Sequence, residues 1–248
     1  MFDTDDVGHD IRGTAAGLSG AVRSAATLTD RGEHLLPTMA ALRPLFPDGG
    51  LRRGSTITIE GLGATSLAFA LLTEPNAAGS WCAAVGLGSL GLLAAAEAGI
   101  SLSRMALVPE PGQNWPTIVA ALLDAFPVVL LRPPNPTSAH LQRRLFARLR
   151  ERNSVLVSVG AGTLSGMSPD VRLIGTDSVW EGLGWGSGHL RSRQVHVRAE
   201  GRRLAGQSRH ATVWLPDPQG QVAAGTPWDT APGDVPDHVS SFQAVASA

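Results

Sequence analysis

A chain of 248 residues, 43% of them hydrophobic, carries enough apolar material for one domain of about 150 to 200 residues plus tails. All 20 basic side chains are arginine, which excludes every mechanism that requires a lysine, and the single cysteine, Cys82, excludes an internal disulfide and fits a reducing cytoplasm. No apolar run approaches the ~18 residues of a membrane span, the acidic stretch Met1 to Asp10 lacks the profile of a secretory leader, and the net charge of −1 hides a basic block, His140 to Arg209, with twelve arginines against five acids.

Residues 1–32 are polar, Gly-rich and without sustained apolar periodicity, so a flexible or partly helical lead-in is expected. Leu35, Leu36, Met39, Leu42 and Leu45 then mark a short apolar segment interrupted by Pro37 and Pro44, suited either to capping the core or to docking on a neighbour. After the turn cluster Asp48 to Gly54, the β-branched run Thr56-Ile57-Thr58-Ile59 predicts a strand over Ser55 to Glu60. Gly61-Leu62-Gly63 breaks it, and Ala64 to Leu72 has helix-forming composition.

The unit repeats. Strands are predicted over Trp81 to Val85, Arg104 to Val108, Pro127 to Leu131 and Ser154 to Val159. The intervening helices are Leu87 to Ala98, then a segment capped by Asn114 with Pro116 in its first turn and ending near Ala125, then one capped by Thr137 or Ser138. In that last helix Leu141, Leu145 and Leu149 share one face. Short apolar strands separated by helices imply an α/β fold, a mainly parallel sheet with helices on both faces. Alternating segments such as Gln194 to Arg198 and Ala211 to Leu215 predict antiparallel edge strands. A domain over 33–216 is expected, followed by a disordered acidic tail over 217–248, which contains four Asp and no Arg.

The strand, glycine turn and helix at Thr56 to Leu72 occupy the place of a P-loop. A working loop, G-x-x-x-x-G-K-[ST], wraps phosphates in backbone amides, neutralises them with Lys and holds magnesium with a hydroxyl. Gly61, Gly63, Ala64, Thr65 and Ser66 form a shorter turn with Ala64 in place of the lysine. The strand at Val128 to Leu131 ends in Arg132, where an acidic residue would help hold magnesium. ATP hydrolysis is therefore not expected.

A second motif, Gly86-Leu87-Gly88-Ser89-Leu90-Gly91, matches G-x-G-x-x-G between a strand and a helix, with Glu110 ending the next strand, as in a dinucleotide fingerprint. Gly is abundant, however, and no hydride-transfer constellation follows. G-x-S-x-G fails at Ser89 because Leu87 replaces the first glycine. The seven His are scattered, and His189 and His196 suit surface or strand positions, so no metal site, cofactor or catalytic residue is expected. Trp180, Trp185 and Trp214 lie among the arginines, where packing is the commoner role and base stacking the alternative. Arg143, Arg144, Arg148, Arg191, Arg193, Arg202 and Arg203 are the candidate surface for DNA phosphates or a protein partner.

The run Gly49-Gly50-Leu51-Arg52-Arg53-Gly54 with its strand, short turn and helix resembles the start of a RecA core. The stretch from Trp81 to Leu131 is similar to RecA's second through fourth core strands, without a counterpart of the catalytic glutamate in Gly86 to Leu90. More closely, Arg52-Arg53-Gly54-Ser55, Gly63 to Ala68, Gly79-Ser80-Trp81-Cys82, Trp180 to Gly184 and Trp214 to Pro218 resemble the ImuA family of RecA-like mutagenesis accessory proteins, in particular its actinobacterial form ImuA′. The resemblance covers about residues 35 to 220. It implies a non-catalytic role in DNA-damage-induced translesion synthesis, cytoplasmic and nucleoid-associated after damage. The implied partners are an ImuB-like polymerase scaffold and, through it, an error-prone C-family DNA polymerase, with weak DNA binding as a further expectation. RecA relatives assemble through an N-terminal segment packed on a neighbour, which makes Leu35 to Leu45 a candidate association element. A SulA-like division inhibitor binding FtsZ, or an NAD(P)-binding Rossmann protein, are the alternatives.

Overall fold

A computed structural model of the chain describes residues 34–134, 138–160, 168–184 and 187–226. The expectations for residues 1–32, for Thr137 and for Trp185 lie outside that set. In chain order the strands are β1 (Leu35–Leu36), β2 (Leu51–Arg52), β3 (Thr56–Gly61), β4 (Cys82–Val85), β5 (Met105–Val108), β6 (Val128–Leu131), β7 (Val155–Val159), β8 (Val171–Gly184), β9 (Ser187–Glu200), β10 (Arg209–Trp214) and β11 (Ala223–Ala224). The α-helices are α1 (Ala64–Ala77), α2 (Leu92–Glu97), α3 (Trp115–Ala125) and α4 (Ala139–Arg152).

Nine strands form one mixed sheet in the order β11-β10-β9-β8-β3-β7-β6-β4-β5, and β1 pairs β2 in a separate antiparallel ladder. Every pairing from β8 to β5 is parallel, and β8 to β11 are joined antiparallel. The fold is thus α/β, with a parallel half and an antiparallel edge. In the parallel half β4, β6 and β7 are buried at every position, which is why β4 and β6 read as continuous apolar runs instead of alternating ones and β7 as a run broken only by Ser158.

Two apolar layers lie on the two faces of the sheet. One gathers α1, α2 and the segment Leu36 to Leu51 onto Ile57, Ile59, Val157, Val195 and Val197. The other packs Trp115, Val119 and Leu123 of α3 and Leu145, Phe146 and Leu149 of α4 onto Ala83, Val85, Val129 and Leu131. α1 buries the whole run Leu67 to Leu72, which fits a helix enclosed on nearly every side. α4 buries Gln142 along with its apolar stripe and leaves Arg143, Arg144 and Arg150 exposed. Ser138 starts α4 by accepting the Leu141 N–H at 3.3 Å, and Asn153, at φ 54°, ends it in the left-handed conformation.

Four expectations change. The helix expected from Leu87 is only Leu92–Glu97, because Gly86 to Gly91 is consumed by a turn. Asn114 precedes α3 but its side chain makes no capping bond, since Gly112 to Asn114 already form a 3-10 turn leading into it. The sheet continues past residue 216: Ala223 and Ala224 pair with Trp214 and Val213, so the expected tail starts no earlier than the end of β11.

The fourth concerns the association element. Leu36, Leu42 and Leu45 are almost wholly buried in the chain's own core, and the 3-10 helix Ala40–Leu45 packs against β10 and β11. Met39 packs against the same cluster, and Leu35 is half-buried in the β1–β2 ladder. The segment covers its own sheet, so these side chains are not free to dock on a neighbour.

Candidate functional site

The turn after β3 is shaped by a close crossing of backbones. Leu62 donates its N–H to the Gly175 carbonyl at 3.0 Å, so an amide that a phosphate loop would aim at its ligand is bonded to β8. A Cβ built on Gly175 would overlap the Leu62 carbonyl oxygen, and one built on Gly61 would overlap that of Gly175. Glycine is therefore required on both strands for the two chains to pass. Gly61 and Gly63 take φ of 77° and 72°, which turns the chain from strand to helix in three residues.

α1 begins at Ala64 with Gly63 as its cap, without a side-chain capping bond and without an acidic residue in its first turn. The free N–H groups of such a helix end favour an anion. Here the Arg193 guanidinium occupies the space. Its Nη2 lies 3.0 Å from where a Gly63 Cβ would stand and donates to Ser66 Oγ at 3.1 Å, while its Nε donates to the Leu215 carbonyl at 3.3 Å. The group also stacks on Trp180, 4.8 Å from the ring centroid. Burial draws the Arg193 pKa below the ordinary arginine value, yet a guanidinium stays charged at neutral pH. A cation thus sits where the helix end would attract a phosphate.

Arg193 reaches the turn because it shares the inward side of β9 with Val195, Val197 and Ala199. Extending that alternation two residues back from Val195 is the sequence signal that would have separated Arg193 from the surface arginines. Thr65 is exposed beside the turn and Ser66 is the Arg193 acceptor.

At the other motif positions, Arg132 donates its N–H to the Val85 carbonyl at 2.9 Å, and its own carbonyl lies so close to Gly86 that a Cβ there would overlap it. Gly86, at φ 73°, is thereby explained by the crossing of β4 and the end of β6. Gly88 and Gly91 have only ordinary contacts within reach of a Cβ, and the six-residue α2 follows. The only cysteine, Cys82, is buried in β4, and burial pushes its thiol up to about 12, far from nucleophilic. Among the described residues no group of three or more His, Cys, Asp or Glu could hold a metal ion, and no helix is long and apolar enough to cross a membrane.

The seven arginines expected to form one basic surface are divided among three elements. Arg143, Arg144 and Arg148 lie on α4, where Arg148 clamps Asp124 of α3 with Nε donating at 2.7 Å and Arg152 adds a bond at 3.1 Å. That pairing holds the Asp124 carboxyl below its usual range, chiefly through the Arg148 hydrogen bonds. Arg191 and Arg193 lie on β9, one exposed and one in the glycine turn. Arg202 and Arg203 lie in the turn after β9 and pair with Asp170 at 2.7 Å and Asp48 at 3.0 Å. That last pair gathers at the amino end of β3 and Arg193 at its carboxyl end, about 20 Å away for six residues at ~3.3 Å each. One continuous patch of all seven does not form.

Beyond Gly175 on β8, and before Arg193 on β9, the two strands pair only with each other, as a ribbon overhanging the sheet. It exposes Val179, Trp180 and Leu190. Of the tryptophans, Trp180 stacks on Arg193, and Trp214 is half-buried in β10 beside Gln194.

A family model described as the MT3502 N-terminal domain matches residues 44–164, which runs from the segment before β2 through β7 and stops before the β8–β9 hairpin. Among curated proteins, the chain is similar to "Uncharacterized protein Rv3395c" of Mycobacterium tuberculosis (strain ATCC 25618 / H37Rv), 36% identical over 107 residues. The aligned part is 43% of this chain and 52% of that protein, so the chain spans about half the length of the relative it matches.

Proposed function

We propose that this chain is a RecA-like domain of the ImuA kind that has given up nucleotide hydrolysis and works by holding other proteins in a DNA-damage mutagenesis assembly. The observation that carries the reading is the Arg193 guanidinium bonded to Ser66 at the amino end of α1. A triphosphate entering there would meet neither the lysine nor a loop long enough to wrap it in backbone amides. It would first have to displace a stacked, hydrogen-bonded cation. The bond from Leu62 to Gly175 and the arginine at the end of β6 act in the same direction.

With the chemistry gone, the rigid mixed sheet serves as a platform. Its overhanging ribbon offers exposed Val179, Trp180 and Leu190 beside an unpaired strand edge, the features by which a partner strand or apolar patch is recognised. On the ImuA resemblance the partner is an ImuB-like polymerase scaffold, which brings the chain to an error-prone C-family polymerase. The protein would act in the cytoplasm and gather at the nucleoid after damage.

Affinity recovery of the tagged full chain from DNA-damaged cells, with partners identified by mass spectrometry, tests this. An ImuB-like scaffold recovered with the native chain, and lost with Leu190→Glu, is the expected result. Recovery of FtsZ instead would replace it with the division-inhibitor reading. Saturable NAD binding by calorimetry, abolished by Gly88→Val, would replace it with a dinucleotide-binding one.

A further inference from the structure

At the end of the sheet opposite the glycine turn, residues from four separate parts of the chain line a depression of about 290 Å³. Arg52 and Arg53 come from β2 and the turn after it, Arg150 from the last turn of α4, and Arg203 from the turn after β9. Asp170 supplies the acidic part of the lining. The floor backbone is already satisfied: the Gly54 N–H bonds to the Ser154 carbonyl at 2.8 Å and the Arg53 N–H to the His34 carbonyl at 2.9 Å. Free donors here are guanidinium groups.

Their charges are not balanced. Asp48 accepts from Arg203 at 3.0 Å and lies 3.9 Å from Arg52. One oxygen of Asp170 takes Arg202 at 2.7 Å, and the other is held by the N–H and hydroxyl of Thr56 at 2.9 and 3.1 Å. Both carboxylates are therefore committed to structural bonds. Arg53 and Arg150 have no acidic partner among the described residues. With Arg202, five guanidiniums face two carboxylates, an excess of three positive charges.

We propose that this depression binds phosphate, and specifically a phosphodiester of a nucleic-acid backbone. Guanidinium forks match phosphate oxygens in pairs, and the excess of charge suits a polyanion more than a single carboxylate. The track also continues beyond the depression. Arg143 stands seven residues before Arg150, on the same face of α4 and about 10 Å along its axis. One ion would not need that strip, whereas a strand with a charge at every nucleotide would follow it. The inference is independent of the accessory-protein reading and replaces the dispersed arginine surface with a defined one.

The test is fluorescence anisotropy of the full-length chain with a labelled oligothymidylate, at salt concentrations between about 50 and 200 mM. Arg53→Glu/Arg150→Glu should weaken binding roughly tenfold or more and shallow the salt slope by about 1.4, at ~0.7 per lost phosphate contact. Arg53→Gln/Arg150→Gln should weaken it less, with an unchanged thermal melt. The control Arg104→Glu, on an exposed arginine elsewhere, should bind as the native chain does. Inorganic phosphate and ATP serve as competitors. If they bind at the depression and the oligonucleotide does not, the ligand is a free phosphate and the backbone assignment is overturned. The whole proposal is overturned if the native chain binds none of the three, if the Arg53/Arg150 variants bind normally, or if the control loses as much.

Discussion

Arg193 is placed against the electrostatic preference of a helix end. Two hydrogen bonds and the Trp180 face offset the cost. Replacing it with methionine, which keeps the stem and removes the charge, should lower stability by about 1–3 kcal/mol, the range for charged hydrogen bonds plus a ring contact. Urea denaturation measures this, and an unchanged midpoint would mean that the contacts to Ser66, Leu215 and Trp180 contribute nothing. A second effect belongs to His196, whose pKa is lowered first by burial, with His210 adding to that and the Asp177 charge opposing it. The unfolded chain then binds more protons than the folded one once pH falls below about 6.5, the value for a free histidine. Stability should decline as pH drops through that point toward the lower folded pKa. Denaturation midpoints at pH 7.5 and 5.5 should differ less in His196→Gln than in the native chain.

Among the elements, the β3–α1 connection and β8 depend on each other through Gly175. Gly175→Ala would drive a methyl into the Leu62 carbonyl, forcing the two strands apart at the parallel–antiparallel junction. A loss of at least ~3 kcal/mol in chemical denaturation is expected, as for other changes that break tight packing; a neutral result would show that the crossing is loose. The 3-10 segment over β10 is held by its own buried leucines, so Leu42→Ala should cost about 2–5 kcal/mol, visible as a lower melting temperature. Were it a surface for a neighbour, the melt of the isolated chain would stay the same. Elements of the parallel half were legible because Val128 to Leu131 is apolar throughout and Val155 to Val159 is apolar but for Ser158, both bounded by turns. The β8–β9 hairpin was not: a bulge between Gly175 and Asp177 breaks the alternation, and the glycines from 182 to 188 hide the rest.

For the molecule as a whole, strand order decides what the sequence could reveal. That the glycine turn lacks a lysine is plain in a linear reading. That a residue 127 positions from Ser66 fills it depends on β8 and β9 folding back beside β3. Likewise Arg52, Arg150 and Arg203 are distant in sequence and meet only because the amino ends of β3 and β7, the end of α4 and the turn after β9 converge. The arginines of the block from His140 to Arg209 do not share one surface, because Arg148, Arg202, Arg203 and Arg193 are committed to Asp124, Asp170, Asp48 and Ser66. On the function proposed above, the glycine turn is closed to triphosphate. Calorimetric titration of homogeneous chain with Mg-ATP, followed by a turnover assay, tests it most directly. No saturable heat assignable to the glycine turn and no hydrolysis are expected, and heat from phosphate held at the arginine depression is separated by repeating the titration with Arg53→Glu/Arg150→Glu. Hydrolysis by the native chain that Thr65→Ala abolishes would mean that the turn still holds a triphosphate.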